Sequence, residues 1–370
     1  MVGFIAARAI AGAGPRQAPL SEPPLPADPI QRTESPSMLR RNFLKGLATV
    51  AAPAALSRNL FAAGGDARLG DLEMRPLASD HWQLIFTPDR PRPLRLLQLA
   101  DTHFHRDQER STQATEKSLR ALIEQEQPDF IVHTGDFVNN DGNRPVEWSG
   151  LDVINGLGKP WTLCFGNHDY PVQKAEGSRS LEEIRQGMER GFQGYTDRPT
   201  GRHYCYRYDL LPGEKAQPAA SLFFFQVGYA EGDRRISDPQ LAWFAEQMQK
   251  DKERGASGPI TVFVHIPLIE YRSLFESGKA DGVKGEDVCY DSDTGQSFKQ
   301  FKESGRVVGV FCGHDHVNNY HGDWQGIDLA YGRVSGWGGY GPDNWKRGGR
   351  LITLDLANPR PALVHREAFA

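Results

Sequence analysis

Val307-Val308-Gly309-Val310-Phe311-Cys312-Gly313-His314-Asp315-His316 is the stretch that decides how the chain reads. A short, β-branched apolar run stops at a glycine and a cluster of side chains able to bind metals. Apolar runs this short, bounded by turn residues, read as buried strands. The same grammar recurs four times upstream. Leu94 to Ala100 stops at Asp101-Thr102-His103, and Phe130 to Thr134 stops at Gly135-Asp136. Trp161 to Phe165 stops at Gly166-Asn167-His168-Asp169, and Ile260 to Val264 stops at His265. Helical patterns lie between these runs. Thr112 to Gln127 carries apolar Leu119, Leu122 and Ile123 and stops before Pro128; Ser237-Asp238-Pro239 opens a second helix reaching Glu253; Ser297 to Glu303 is a third, ended by Gly305. Strands alternating with helices predict an α/β layered sheet. Open α/β sheets place their sites beyond the C-terminal ends of the strands, so one fold can bring all five polar clusters together.

Composition sets outer bounds. The 370 residues are 39% hydrophobic and 24% charged, which supplies a core and excludes wholesale disorder. Four cysteines are too few for a disulfide-built scaffold. Cys164 and Cys312, in apolar runs, read as buried thiols, while a Cys205–Cys289 disulfide is left open. No uncharged apolar run reaches the ~18 residues of a membrane span, so stable membrane insertion is not expected.

The first 37 residues hold seven prolines and no period; they read as disordered or as sequence upstream of the true start. Residues 38–63 read as a leader. Met38-Leu39-Arg40-Arg41-Asn42-Phe43-Leu44-Lys45, followed by a weakly apolar stretch to Leu56 and small residues at Ala62 and Ala63, resembles a twin-arginine (Tat) export signal. That resemblance implies the Tat machinery as a partner and a periplasmic or secreted location. Residues 64–370 are then expected to form a single domain. Residues 1–63 hold seven of the 43 basic and three of the 47 acidic residues, so the remainder carries a net charge of −8. An acidic surface disfavours phosphate backbones, and no nucleic-acid partner is expected.

The polar residues at the strand ends form one chemical set: Asp101, His103, Asp136, Asn167, His168, His265, His314 and His316. They are imidazoles, carboxylates and one amide, without a thiolate, which suits Mn, Fe or Zn rather than a soft metal. The set exceeds the needs of one tetrahedral ion. Two ions sharing a carboxylate would use it fully, and a metal pair ~3.5–4 Å apart is the usual clamp for phosphoester hydrolysis.

In order, D-x-H, G-D, G-N-H-D, a lone His and G-H-x-H resemble the calcineurin-like metallophosphoesterase superfamily over roughly residues 92–358. The resemblance implies a four-layer αββα sandwich of two stacked mixed β-sheets. It implies two divalent or mixed-valence transition metal ions (Fe, Mn or Zn). Asp101, His103 and His316 should hold one ion and Asn167, His265 and His314 the other, with Asp136 bridging. A bridging water or hydroxide should be the nucleophile. His168 should sit just outside the metals, protonating the leaving group or stabilising the transition state, and Asp169 should orient it. Further likeness, in His265-Ile266-Pro267-Leu268, Gly313 to Asn319 and Gly336 to Gly341, is to a branch of fungal and plant phosphatases labelled purple-acid-phosphatase-like. The tyrosine that gives purple acid phosphatases their colour would stand at position 139, which here is Asn139. The resemblance therefore implies no purple centre. The function it implies is an exported phosphomonoesterase acting on a small phosphate ester. A phosphodiesterase or nucleotidase on the same site, or a non-catalytic binding module, is the alternative.

Several residues have plainer readings. His133, inside a strand, is expected in the core, and His105 on a surface loop. Asp315 and Glu270 are candidates to orient ligand imidazoles, or are solvated carboxylates. Asn318 and Asn319 line the mouth or shape a turn. The glycine-rich segment Gly332 to Gly349, with Trp337, Tyr340 and Trp345, is a candidate substrate-side loop or a packed surface turn. Residues 170–202 are expected to cap the site.

Overall fold

The computed structural model describes residues 67–69, 72–78, 80–86, 93–105, 108–139, 150–169, 205–214, 217–226, 234–358 and 363–369. The expected leader and the expected cap over 170–202 lie outside the described residues. In chain order the elements are β1 (Ala67–Leu69), β2 (Leu72–Ala78), β3 (His81–Phe86), β4 (Leu94–Leu99), α1 (Glu109–Glu126), β5 (Phe130–His133), α2 (Leu151–Gly156), β6 (Trp161–Leu163), β7 (Cys205–Leu211) and β8 (Ala220–Phe225). They continue with α3 (Asp238–Glu253), β9 (Ile260–Val264), α4 (Glu270–Glu276), α5 (Gln296–Glu303), β10 (Val307–Cys312), β11 (His321–Trp324), β12 (Ile327–Tyr331), β13 (Gly348–Leu354) and β14 (Leu363–Phe369).

These strands make two mixed sheets. One has nine strands in the order β1-β2-β3-β7-β8-β9-β10-β12-β11, the other five in the order β14-β13-β4-β5-β6. Each sheet has a parallel heart. β8, β9, β10 and β12 run parallel in the large sheet, and β4, β5 and β6 in the small one. Antiparallel strands flank both hearts, for example β7 on β8 and β13 on β4.

The period-2 alternation of strand side chains sorts the apolar residues into three slabs. Leu94, Leu96, Phe130 and Val132 of the small sheet pack with Leu222, Phe224, Phe263 and Phe311 of the large one. Their chain neighbours point the other way. Leu97, Leu99 and Ile131 pack under Leu119, Leu122 and Ile123 of α1. Phe223, Phe225, Val262, Val264 and Val310 pack under Leu241 and Phe244 of α3, Leu274 of α4, and Phe298 and Phe301 of α5. Helix, sheet, sheet, helix is the four-layer sandwich that the resemblance implies. Parallel strands covered on both faces explain why the five quoted runs look almost uniformly apolar.

The five predicted strands and three predicted helices are present, with ends shifted by a few residues. Gln127 closes α1 in the left-handed region at φ 43°, immediately before Pro128. Gln240 closes a capping box at α3, its Oε1 accepting from Ser237 N–H at 2.9 Å. Cys164 and Cys312 are buried, and no disulfide joins buried Cys205 to exposed Cys289. Among the described residues, no helix is long and apolar enough to cross a membrane.

At the end of the large sheet where β8 and β9 begin, Arg207 and Asp209 of β7 are fully buried. Arg207 reaches Asp209 and makes two bonds to Asp251 of α3, at 2.9 and 3.1 Å. Arg254 donates to Asp209 and Asp251 at 2.6 Å, Arg306 to Asp251 at 2.6 Å, and His81 lies 2.8 Å from Asp209. This network ties β3, β7 and α3 together. It stands at the opposite end of the strands from the polar clusters.

Candidate metal centre

Four of the predicted ligands stand in the left-handed backbone region: Asp101 at φ 54°, His103 at 45°, Asp136 at 50° and His314 at 78°. That region costs an L-residue about 1–2 kcal/mol, so the surrounding structure must hold each one there. Backbone hydrogen bonds do this. Asp101 N–H donates to Gly135 O and His103 N–H to Asp136 O, both at 3.0 Å, stitching the two strand-end turns together. Gly313 N–H donates to His265 O at 2.9 Å, joining the turns of the large sheet. Gly135, at φ 98°, has no room for a side chain, since a Cβ there would lie 2.6 Å from both Gly166 N and His265 Nδ1. The glycine before Asp136 is thus a steric requirement of bringing the two sheets' turns together.

The structure brings all the predicted ligands to one place, drawn from both sheets. Asp101, His103 and His316 form one group of donor atoms, and Asp136, His265 and His314 another. His103 Nε2 faces His316 Nε2 at 3.1 Å, and His316 Nε2 lies 3.7 Å from Asp101 Oδ1. His265 Nε2 lies 3.2 Å from Asp136 Oδ2, 3.1 Å from Asn167 Oδ1 and 3.2 Å from His314 Nδ1. Asp136 also reaches toward the first group, with His103 Nε2 3.6 Å from its Oδ2. Asp136 is therefore placed between the two groups.

Two imidazoles are oriented by backbone carbonyls. His265 Nδ1 lies 2.8 Å from Thr134 O, and His316 Nδ1 lies 2.9 Å from Tyr340 O. A carbonyl only accepts, so each Nδ1 carries a proton and each Nε2 faces the donor cluster. This is the usual outer support of a ligand histidine. Asp315 and Glu270 do not perform it. Asp315 Oδ2 accepts from Tyr331 Oη at 2.6 Å and from Cys289 N–H at 3.2 Å. Glu270 Oε2 is buried without a hydrogen-bond partner, and burial pushes its carboxyl up to about 7.

The electrostatics are those of a buried cluster of opposite charges. Burial pushes Asp101 well above the carboxylate range. Burial works the same way on Asp136, but His265, His103 and His168 around it hold it well below that range. His265 is held back by burial yet raised to about 9 by the Asp136 and Asp101 carboxylates. Burial pulls His103 well down, His314 to about 3 and His316 to about 4, leaving these rings as neutral donors. Nitrogen and oxygen donors converge from rigid strand ends, and the carboxylates that hold the His265 proton are ones a cation would neutralise in its place, so the set fits two divalent cations.

His168 borders the cluster. Its side chain is 35% exposed, its Nε2 lies 4.0 Å from Asp136 Oδ2, and its ring centroid is 5.0 Å from that of His103. Its backbone N–H donates to Asp136 Oδ1 at 2.9 Å. Asp169 was expected to orient the His168 ring, and the structure gives it other work. Its two oxygens accept from Gly166 N–H at 2.8 Å and Val138 N–H at 3.0 Å. It braces the turn that carries Asn167 and His168, and burial pushes its carboxyl up to about 7.

The glycine-rich segment packs directly on the cluster. A Cβ on Gly339 would lie 2.4 Å from the His316 ring and 2.8 Å from that of His103. Tyr340 stacks on His316, with centroids 3.9 Å apart and planes 10° apart, and is 55% exposed. Trp337 packs beneath Arg347, and Trp345 beneath Arg333, with the guanidinium carbons 4.9 and 3.9 Å from the ring centroids. Asn318 and Asn319 shape a turn. Their Oδ1 atoms accept from Gly285, Glu286 and Val283 N–H groups at 2.7–3.1 Å. Asn139 donates its N–H to Phe104 O at 3.0 Å, continuing the turn after Asp136. Sequence patterns could not reveal the Thr134 and Tyr340 carbonyls, because any residue supplies a carbonyl.

His133 is a core residue, as expected. Gly135 N–H donates to its Nδ1 at 3.2 Å, so its Nε2 carries the proton toward Thr102 Oγ1 at 3.0 Å. Burial lowers its pKa to about 3. The unfolded ring takes up a proton near pH 6.5 while the folded ring stays neutral, so stability present above that pH is lost as pH falls toward 3. Between pH 7 and pH 5 the wild-type chain should lose about 2 kcal/mol more than a His133→Gln variant, read from urea unfolding. Parallel losses in the two proteins would remove His133 as the cause.

A further group, His321, Asp328 and His365, lies within ligand distance. Arg350 Nη1 donates to His365 Nδ1 at 2.9 Å, so His365 Nε2 carries the proton that bonds Asp328 at 2.6 Å. That is a hydrogen-bond chain linking β13, β14 and β12.

A family model described as calcineurin-like phosphoesterase matches residues 94–318. The chain is 30% identical over 270 residues to probable inactive purple acid phosphatase 28 of Arabidopsis thaliana, covering 66% of this chain and 68% of that one. It is 27% identical over 308 residues to probable inactive purple acid phosphatase 29 of the same plant, covering 72% and 78%. Among solved structures, a dimetal phosphatase from Danio rerio aligns with a TM-score of 0.47 at 10% identity, over 75% of this chain and 96% of that one.

Proposed function

The chain belongs to the calcineurin-like phosphoesterase family, and we propose that it is an exported two-cation phosphatase hydrolysing small phosphate monoesters. The observation that carries this reading is that every donor position of the pattern is filled and all converge. Three plant relatives bear the word inactive in their names. An inactive descendant is expected to have lost donors, and this chain has lost none. Export rests on the Arg40-Arg41 leader pattern, and monoester preference on likeness to proteins named as phosphatases.

In this reading Asp101, His103 and His316 would hold one cation, Asn167, His265 and His314 would hold the other, and Asp136 would serve both. When bound, two cations supply a water that is nucleophilic at neutral pH and offset charge on the phosphoryl oxygens. The protein's own part is orientation and proton movement. The Thr134 and Tyr340 carbonyls fix the His265 and His316 rings, and Asp169 fixes the turn beneath His168. His168, at the exposed edge, delivers a proton from its imidazole to the departing alkoxide oxygen.

His168→Ala is therefore expected to slow turnover of alkyl phosphates by about 100-fold and that of p-nitrophenyl phosphate far less, since nitrophenolate leaves without a proton. Equal losses on both would remove the proton-donor role. The substrate class is tested by comparing p-nitrophenyl phosphate with bis-p-nitrophenyl phosphate at matched metal content. Faster monoester turnover supports the phosphatase; faster diester turnover replaces it with a phosphodiesterase.

A further inference from the structure

Beside the metal centre lies a second set of donors, two of which the reading above does not use. Cys289, on the segment between α4 and α5, is exposed. The Cys289 sulfur, an imidazole nitrogen of His314 and a carboxylate oxygen of Asp315 all lie within 4.8 Å of one another. The backbone carrying them is pinned. Cys289 N–H donates to Asp315 Oδ2 at 3.2 Å, and Gly285 and Glu286 N–H groups donate to Asn318 Oδ1 at 2.9 and 3.1 Å. Glu286 in turn accepts from Val317 N–H at 3.0 Å.

One thiolate, one imidazole and one carboxylate form a set that favours zinc or cadmium over manganese or magnesium. The main centre has no sulfur, so the two sites differ in kind. They share His314, which also faces His265 Nε2 at 3.2 Å. We propose that Cys289, His314 and Asp315 form a third, inhibitory site for a thiophilic divalent cation, whose binding draws His314 away from the Asp136–His265 group. Binding releases the thiol proton to solvent, leaving the thiolate as ligand. The site itself stands on the cluster's geometry. Its inhibitory consequence rests on the phosphoesterase reading, because only a loaded centre can lose a cation.

The test uses the full chain loaded with manganese and titrated with cadmium. The ultraviolet sulfur-to-cadmium charge-transfer band reports the new site, and free manganese in solution reports the old one. Cys164, Cys205 and Cys312 are buried and should not contribute. The expected result is a band that saturates with one cadmium per chain, is absent in Cys289→Ser, and rises together with manganese release. No band in the wild type, or an undiminished band in Cys289→Ser, overturns the site. A band without manganese release overturns its inhibitory action. A chain that takes up no manganese contradicts the phosphoesterase reading instead, while the cadmium band still decides the third site.

Discussion

Asn in place of Asp136 is expected to cost turnover about three orders of magnitude or more and to leave the chain unable to hold a pair of cations. Asp136 is the carboxylate that lies between the two donor groups, 3.2 Å from His265 Nε2 and 3.6 Å from His103 Nε2. Asparagine tolerates the left-handed φ of 50° at this position. Its carbonyl oxygen can also keep the bond from His168 N–H. The substitution thus removes charge while sparing shape, and the fold should survive. Metal analysis of the dialysed variant, beside its turnover, is the check. Two tightly held cations in Asp136→Asn would show that this carboxylate is not shared.

Arg207→Leu is expected to destabilise the fold by about 3–5 kcal/mol without touching the site. Arg207 is fully buried and satisfies both Asp209 and Asp251. Removing it leaves two buried carboxylates to the remaining partners, Arg254 and Arg306, whose side chains are 30% and 15% exposed. Burial pushes Asp209 up, but His81, Arg207 and Arg254 hold it far below the ordinary carboxylate range. A depressed carboxylate stabilises the fold above its unfolded pKa, near 3.9, and that contribution is lost as pH falls below it. The network should therefore persist at pH 5. Urea unfolding at neutral pH reads the effect of Arg207→Leu; a loss under about 1 kcal/mol would mean that the network relaxes around the gap.

Legibility of the sequence followed the physics of each element. Strands covered on both faces announce themselves as uninterrupted apolar runs, and β4, β5, β6, β9 and β10 were readable for that reason. β7 was not, although all seven of its residues are buried. Arg207 and Asp209 make Cys205 to Leu211 look half solvated, and the charges that neutralise them come from Asp251 and Arg254, more than 40 residues away. The outer strands β1, β2, β13 and β14 carry mixed residues that fix no partner locally. In the site, the side chains that would touch cations were legible because their type and order are restricted. What holds them was not: a carbonyl at Thr134 or Tyr340, or a left-handed turn at Asp101, leaves no mark of residue type. Asp169 misled for the same reason, since adjacency to His168 in sequence says nothing about two backbone N–H groups that fold onto it.

The central claim, that two cations held together at this site make the chain a phosphoesterase, is tested most directly by p-nitrophenyl phosphate turnover measured against manganese bound per chain. Little turnover is expected with the first equivalent and a rise to saturation with the second. Saturation at one equivalent, or full occupancy without hydrolysis, would contradict it.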